Sequence, residues 1–189
     1  MRGFVGFITA GNEELIQNQD AIFQAAPIQS AVIRFTSSRF DLKQFEEQHL
    51  RKLTALGLVG SIFDVDVASV ASSAATSRLS RLLLSGLTLT CQSALAIAES
   101  PSLKNLEMLD LSRNLIRNGG IEALAESQAV LKMQALNLSE NEIRLKGARA
   151  LANSPNLGEL RHLDIRSNPI PQRGVDELRK RFGRDVCEI

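Results

Sequence analysis

Asn114, Asn141 and Asn168 stand 27 residues apart, and each closes the same apolar phrase. The first phrase places Leu106, Leu109 and Leu111 before its asparagine and Ile116 after it. The second places Met133, Leu136 and Leu138 before and Ile143 after. The third places Leu160, Leu163 and Ile165 before and Ile170 after. A fixed period of this length points to stacked supersecondary units rather than a chain closed on one central core. The segments between the phrases repeat too. Gly120, Gly147 and Gly174 are in register, as are Leu124, Leu151 and Leu178, and Ser100, Ser127 and Ser154. An apolar pattern of period two alternates with one of helical spacing, so each unit predicts one strand and one helix.

The pattern weakens towards the N-terminus. Leu79, Leu82 and Leu84 continue it with Leu87 at the asparagine position, and Leu53, Leu56 and Leu58 continue it with Ser61 there. Further back the pattern predicts a strand near 31–35, a helix over 13–26 ended by Pro27, and a helix over 41–52. Seven of the eight phenylalanines (4, 7, 23, 35, 40, 45, 63) lie in the first third, so that part fills its core differently from the Leu-rich remainder. This divides the chain into an irregular N-terminal cap with degenerate repeats over 1–52, regular units over 53–182 and a tail over 183–189.

One unit cannot bury its own apolar strand face, so stability must come from its neighbours. The asparagine amide offers two donors and an acceptor to backbone groups where the strand turns away. Leu87 and Ser61 lack that amide, so their turns should be looser or built differently. The three glycines should sit just before each helix, where backbones approach closely or dihedrals are unusual.

These phrases resemble the leucine-rich-repeat consensus, and the helical halves resemble its ribonuclease-inhibitor-like subclass. The runs 97–103 and 150–157 and the ending Glu177 to Gly183 are similar to bacterial members of it. The resemblance is specific over 79–182, moderate over 50–78 and weak before that. It implies an α/β, right-handed solenoid with parallel strands on the concave face and helices on the convex face. It also implies a non-catalytic scaffold or adaptor that binds a partner protein. A GTPase-activating family uses similar repeats, so a regulator of that type is one alternative, with Arg113, Arg117 or Arg144 as the acting arginine. A non-catalytic piece of a larger multidomain protein is another.

Alternation along strands names the outward set on the concave side. The candidate contacts are Arg81, Leu83, Met108, Asp110, Ser112, Asn137, Ser139, His162, Asp164 and Arg166, with Ala55, Gly57 and Val59 continuing the surface. It runs from apolar to polar along the stack. Asp110 and Asp164 are expected to be exposed. Ser139, His162 and Asp164 carry the residue types of a hydrolytic triad, but an open sheet supplies neither a strained nucleophile turn nor oxyanion donors. Asp110, Asn137, His162 and Asp164 carry metal-ligand chemistry, yet nothing in the pattern encloses an ion, so no metal and no cofactor are expected. Asp64 and Asp66 look like half a calcium loop but lack its glycine and terminal glutamate.

Composition supplies the exclusions. Lys+Arg 22 against Asp+Glu 21 gives net charge +1, so no global field draws nucleic acid or an anionic membrane. Arg173, Arg179, Lys180, Arg181 and Arg184 suit the solvated end of a last helix. Cys91 and Cys187 match no metal or disulfide spacing; Cys187, following the basic run, is expected to be a packed or inert thiol, with an exposed thiol that reacts or dimerises as the alternative. The first residues carry no sustained apolar run, and no stretch reaches the roughly 18 apolar residues of a membrane helix. A cytoplasmic protein is the expectation.

Overall fold

The computed structural model describes residues 6–35 and 42–189. Eight parallel strands form one open sheet in sequence order. They are β1 Gly6–Gly11, β2 Ile28–Phe35, β3 Ala55–Gly60, β4 Arg81–Leu83, β5 Met108–Asp110, β6 Ala135–Asn137, β7 His162–Asp164 and β8 Cys187–Glu188. Between them run α1 Asn12–Ala25, α2 Glu47–Leu50, α3 Asp64–Ser72, α4 Cys91–Ala98, α5 Arg117–Glu126, α6 Leu145–Asn153 and α7 Gln172–Phe182.

The core is the ladder the period requires. Leu56, Leu82, Leu109, Leu136 and Leu163 are register partners on consecutive strands, and all are buried. Ile97, Leu124, Leu151 and Leu178 seal it from the helical side. Phe23, Phe35 and Phe45 do the same work in the first units.

The asparagines tie units together rather than serving only their own turn. Asn141 Nδ2 donates to Leu138 O and Ser139 O in its own unit and to Leu111 O in the preceding one, while its Oδ1 accepts from Ile116 N. Asn114 and Asn168 repeat the arrangement. The turn at Leu87 is therefore not loose: Asn114 of the next unit accepts from Leu87 N and Leu89 N. The turn at Ser61 is built differently, by Ser61 N donating to Phe35 O across a tight approach at Gly60, whose φ is +100°. A Cβ at Gly60 would lie 2.0 Å from that oxygen.

A second ladder runs along the helix ends. Ser100, Ser127 and Ser154 each donate to a carbonyl of the preceding unit's helix (Ala71, Ala98 and Ala125) and accept from the backbone that follows them.

Two local expectations need correction. Gly120, Gly147 and Gly174 lie inside the first turns of α5, α6 and α7, not before them. A Cβ on Gly147 would come within 2.8 Å of Ile143 Cγ2 and 2.9 Å of Asn118 Oδ1, so close packing explains this glycine. The helix expected over 41–52 is, within the described residues, a single 3-10 turn at Leu42–Gln44 and the four-residue α2. The chain is extended at Glu46, whose N–H donates to Gln19 Oε1 on α1.

Candidate protein-binding face

The outward residues of the sheet fall into rows. Ser30, Ala55, Arg81, Met108, Ala135 and His162 are successive register partners in one row. Thr9, Val32, Gly57, Leu83, Asp110, Asn137, Asp164 and Glu188 form the next. Arg34 and Val59 start a third. Neighbouring strands lie about 5 Å apart, so the rows make one surface.

Its two halves differ. From β1 to β4 no strand residue is acidic. Here Val59 (40% exposed) stands out beside the half-buried Val32 and Leu83, with Met108 (39%) next to them on β5, and Arg34 and Arg81 are exposed among them. Val32 partly covers Gly57: a Cβ there would come within 3.0 Å of Val32 Cγ2. Arg34 and Val32 were beyond reach of the repeat pattern, because β2 carries no asparagine phrase to set its register.

The C-terminal half is polar and self-satisfied. Asp110 Oδ1 accepts from Ser112 N and Ser112 Oγ, and Asn137 Oδ1 accepts from Ser139 N and Ser139 Oγ. Asp164 Oδ1 accepts from Arg166 N and Arg166 Nε, and its Oδ2 accepts from Arg166 Nη2 at 2.6 Å. The Arg166 hydrogen bond holds the Asp164 carboxyl below the usual aspartate range. These three residues thus close their own strands, and the exposure expected of Asp110 and Asp164 is not realised. Asp110 is half-buried, while Asp164 and Ser112 are buried. Arg166 and His162 remain exposed and face Glu188 on β8, Arg166 Nη2 at 3.1 Å from Glu188 Oε2 and His162 Nδ1 at 3.6 Å from Oε1.

The structure does not join the triad residues. Ser139 is bonded to Asn137, Asp164 to Arg166, and His162 leans on Glu188. Of the candidate arginines, Arg113 is paired with Glu140 and Arg117 with Glu142, each an exposed bridge between adjacent units. Asp64, the residue of the rejected calcium loop, has a structural task. Its carboxylate accepts from Thr90 N and Oγ1 and from Ser93 N and Oγ, capping α4 from the preceding unit.

Residues 102–125 and 131–152 match the Leucine Rich repeat family model. The fold is a leucine-rich-repeat solenoid. Among solved structures it is similar to the crystal structure of an internalin from Listeria monocytogenes, with TM-score 0.51 and 17% sequence identity. The likeness covers 86% of this chain and 48% of that one, so this chain spans about half the length of that structure. No curated protein sequence matches it. Among the described residues no helix is long and apolar enough to cross a membrane.

Proposed function

We propose that this solenoid is a non-catalytic scaffold that holds a partner protein across its sheet face, with the strongest contacts on the N-terminal half. Leucine-rich-repeat domains in general mediate protein–protein interaction. The observation that carries the reading here is the apolar and cationic patch on β2 to β5, in which Arg81 makes a 3.4 Å hydrogen bond to Ser30 Oγ. Val59, Met108, Leu83 and Val32 offer apolar area, and Arg34 and Arg81 offer charge, with no acidic residue on β1 to β4 and Asp110 of β5 engaged by Ser112. Arginine beside apolar area is the composition of an interface core. The C-terminal half has already spent its polar groups on itself, and it serves as a rim in which His162 and Arg166 are the outward groups. Assignment to the ribonuclease-inhibitor-like, bacterial subclass is supported by four consecutive units that pair a three-residue strand with an α-helix of 8 to 11 residues. A cytoplasmic setting fits two free thiols, one of them buried.

The test is affinity capture from native lysate followed by cross-linking of the captured complex. The wild type is compared with an Arg81→Glu/Met108→Asp double variant and with Lys180→Glu on the helical side. All three positions are exposed, so circular dichroism should be unchanged. A specific protein captured by the wild type and by Lys180→Glu, but lost with the double variant, supports the reading. Equal capture by the double variant overturns it.

A further inference from the structure

Away from the sheet face, three side chains from two elements converge on one point. Asp20 is on α1, Glu46 immediately precedes α2 and His49 is within it. Their ligand atoms all lie within 4.8 Å of one another. We propose that Asp20, Glu46 and His49 bind a divalent transition ion of the zinc class, which clasps α2 to α1.

The imidazole carries the argument. Its side chain is only 4% exposed, whereas Asp20 and Glu46 are open to solvent at 59% and 46%. A buried polar group ordinarily finds partners among its surroundings. His49 has none outside this trio: its Nε2 is hydrogen-bonded to Asp20 Oδ1 and lies 3.7 Å from Glu46 Oε2, and its Nδ1 is buried without a hydrogen-bond partner. Stacking on Phe23, with ring centroids 4.6 Å apart and planes 16° from parallel, fixes that orientation. Gln19 fixes the other side. Its Oε1 accepts from Glu46 N and its Nε2 donates to Gln44 O, which pins the start of α2 against α1.

The distances are those of a hydrogen-bonded pair that a shift of about half an ångström would open to an ion. A tetrahedral zinc ion with bonds of about 2.0–2.1 Å needs ligand atoms roughly 3.3–3.4 Å apart. His49 Nε2 is 2.8 Å from Asp20 Oδ1 and 3.7 Å from Glu46 Oε2, which brackets that spacing. Glu46 Oε2 also accepts from Gln48 Nε2, a bond the ion would share or displace, and the nearby Arg51 is engaged with Glu47. A nitrogen ligand selects against calcium and magnesium, which take oxygen. Three protein ligands leave one position for water, and the open side lies at the carboxylates. The ion would act where the chain lacks the asparagine ladder that joins later units. This site is independent of the sheet-face reading.

The experiment is a titration of the full chain, in a Cys91→Ser/Cys187→Ser background, with Co²⁺ as the spectroscopic probe and Zn²⁺ as competitor. Visible d–d absorption that saturates at one equivalent and is displaced by Zn²⁺ but not by Mg²⁺ is expected. Asp20→Asn and Glu46→Gln, both at exposed positions, should each weaken binding by at least about tenfold with the circular dichroism unchanged. His49→Gln should abolish binding, and if it does not fold, the two carboxylate variants still decide. Absence of the d–d bands, or affinity unchanged in both carboxylate variants, overturns the proposal.

Discussion

Asn141 serves four backbone groups with one side chain, and three of those four hydrogen bonds are buried. Leaving buried partners unsatisfied costs about 1–3 kcal/mol per group, softened by local relaxation. Asn141→Ala should therefore lower unfolding stability by about 3 kcal/mol, read as a lower urea midpoint. Asn168→Ala should cost less, because Asn168 is half-exposed near the end of the stack. A second residue-scale regularity lies one place earlier. Gly86, Arg113, Glu140 and Ser167 all adopt positive φ, at 70°, 57°, 56° and 57°. Only glycine does so without a Cβ penalty, which is about 1–2 kcal/mol for other residues. Ser167→Gly should raise stability by about 0.5–1 kcal/mol, after the added freedom of the unfolded chain is subtracted, and calorimetry would register this as a higher Tm. The two features differ in how they show in sequence. The asparagines declare themselves because one chemistry is needed at every unit. The left-handed position does not, because Gly, Arg, Glu and Ser share no side-chain property and only the backbone repeats.

At the level of elements, β4 to β7 and their helices were legible because the apolar period and the physical ladder are the same object. The 41–52 segment misled for a physical reason. Leu42, Phe45, His49 and Leu50 are all buried and have helical spacing, but Gln19 on α1 captures both Glu46 N and Gln44 O and breaks the turn between them. The strand-closing roles of Asp110, Asn137 and Asp164 were hidden similarly: alternation places them outward but does not show that each folds back on the residue two places on. Capping was the least visible, since it crosses units. Asp64 caps α4 and Asn118 caps α6, where its Oδ1 accepts from Arg144 N and Gly147 N. Burial pushes the Asp64 carboxyl upward, but the hydrogen bonds from Ser93 and Thr90 together outweigh it and hold it below the usual aspartate range. A depressed carboxyl pKa contributes stability above the unfolded value and loses it as pH falls through the folded value. Asp64→Ala should therefore cost about 1 kcal/mol at neutral pH, and the gap from wild type should shrink below about pH 4. Denaturant melts from neutral to acid pH would check this, and a gap constant with pH would mean that the carboxylate charge is not what caps α4. The helix glycines give a paired test. Gly147→Ala should destabilise by about 1–3 kcal/mol through overpacking. Gly119→Ala, whose Cβ would meet nothing within 4 Å, should be neutral or stabilise by up to about 1 kcal/mol.

The whole molecule is a one-dimensional array, in which each unit touches its neighbours and the ends are held from one side only. Cys187 reports on one such end. It lies on the two-residue β8, paired only with β7 through Leu163 N donating to Val186 O and Ile165 N donating to Glu188 O. Burial pushes its thiol up to about 11, so at neutral pH it should react with an alkylating agent only when the end opens. Opening β8 breaks two backbone hydrogen bonds and the Glu188 pairs with Arg166 and His162, and it uncovers the Leu163 end of the ladder while Leu56 to Leu136 stay covered, so it should cost far less than global unfolding. In a Cys91→Ser background, Cys187 should be labelled under native conditions much faster than the chain unfolds. The decisive comparison adds Leu56→Ala, a core truncation in β3 that lowers global stability by about 2–5 kcal/mol. If the array frays from its end, Cys187 labelling should be unaffected by that distant loss. If labelling instead accelerates by the full change in stability, the eight strands open as one cooperative unit. The rigid surface proposed for partner binding would then be maintained by the whole ladder together rather than unit by unit.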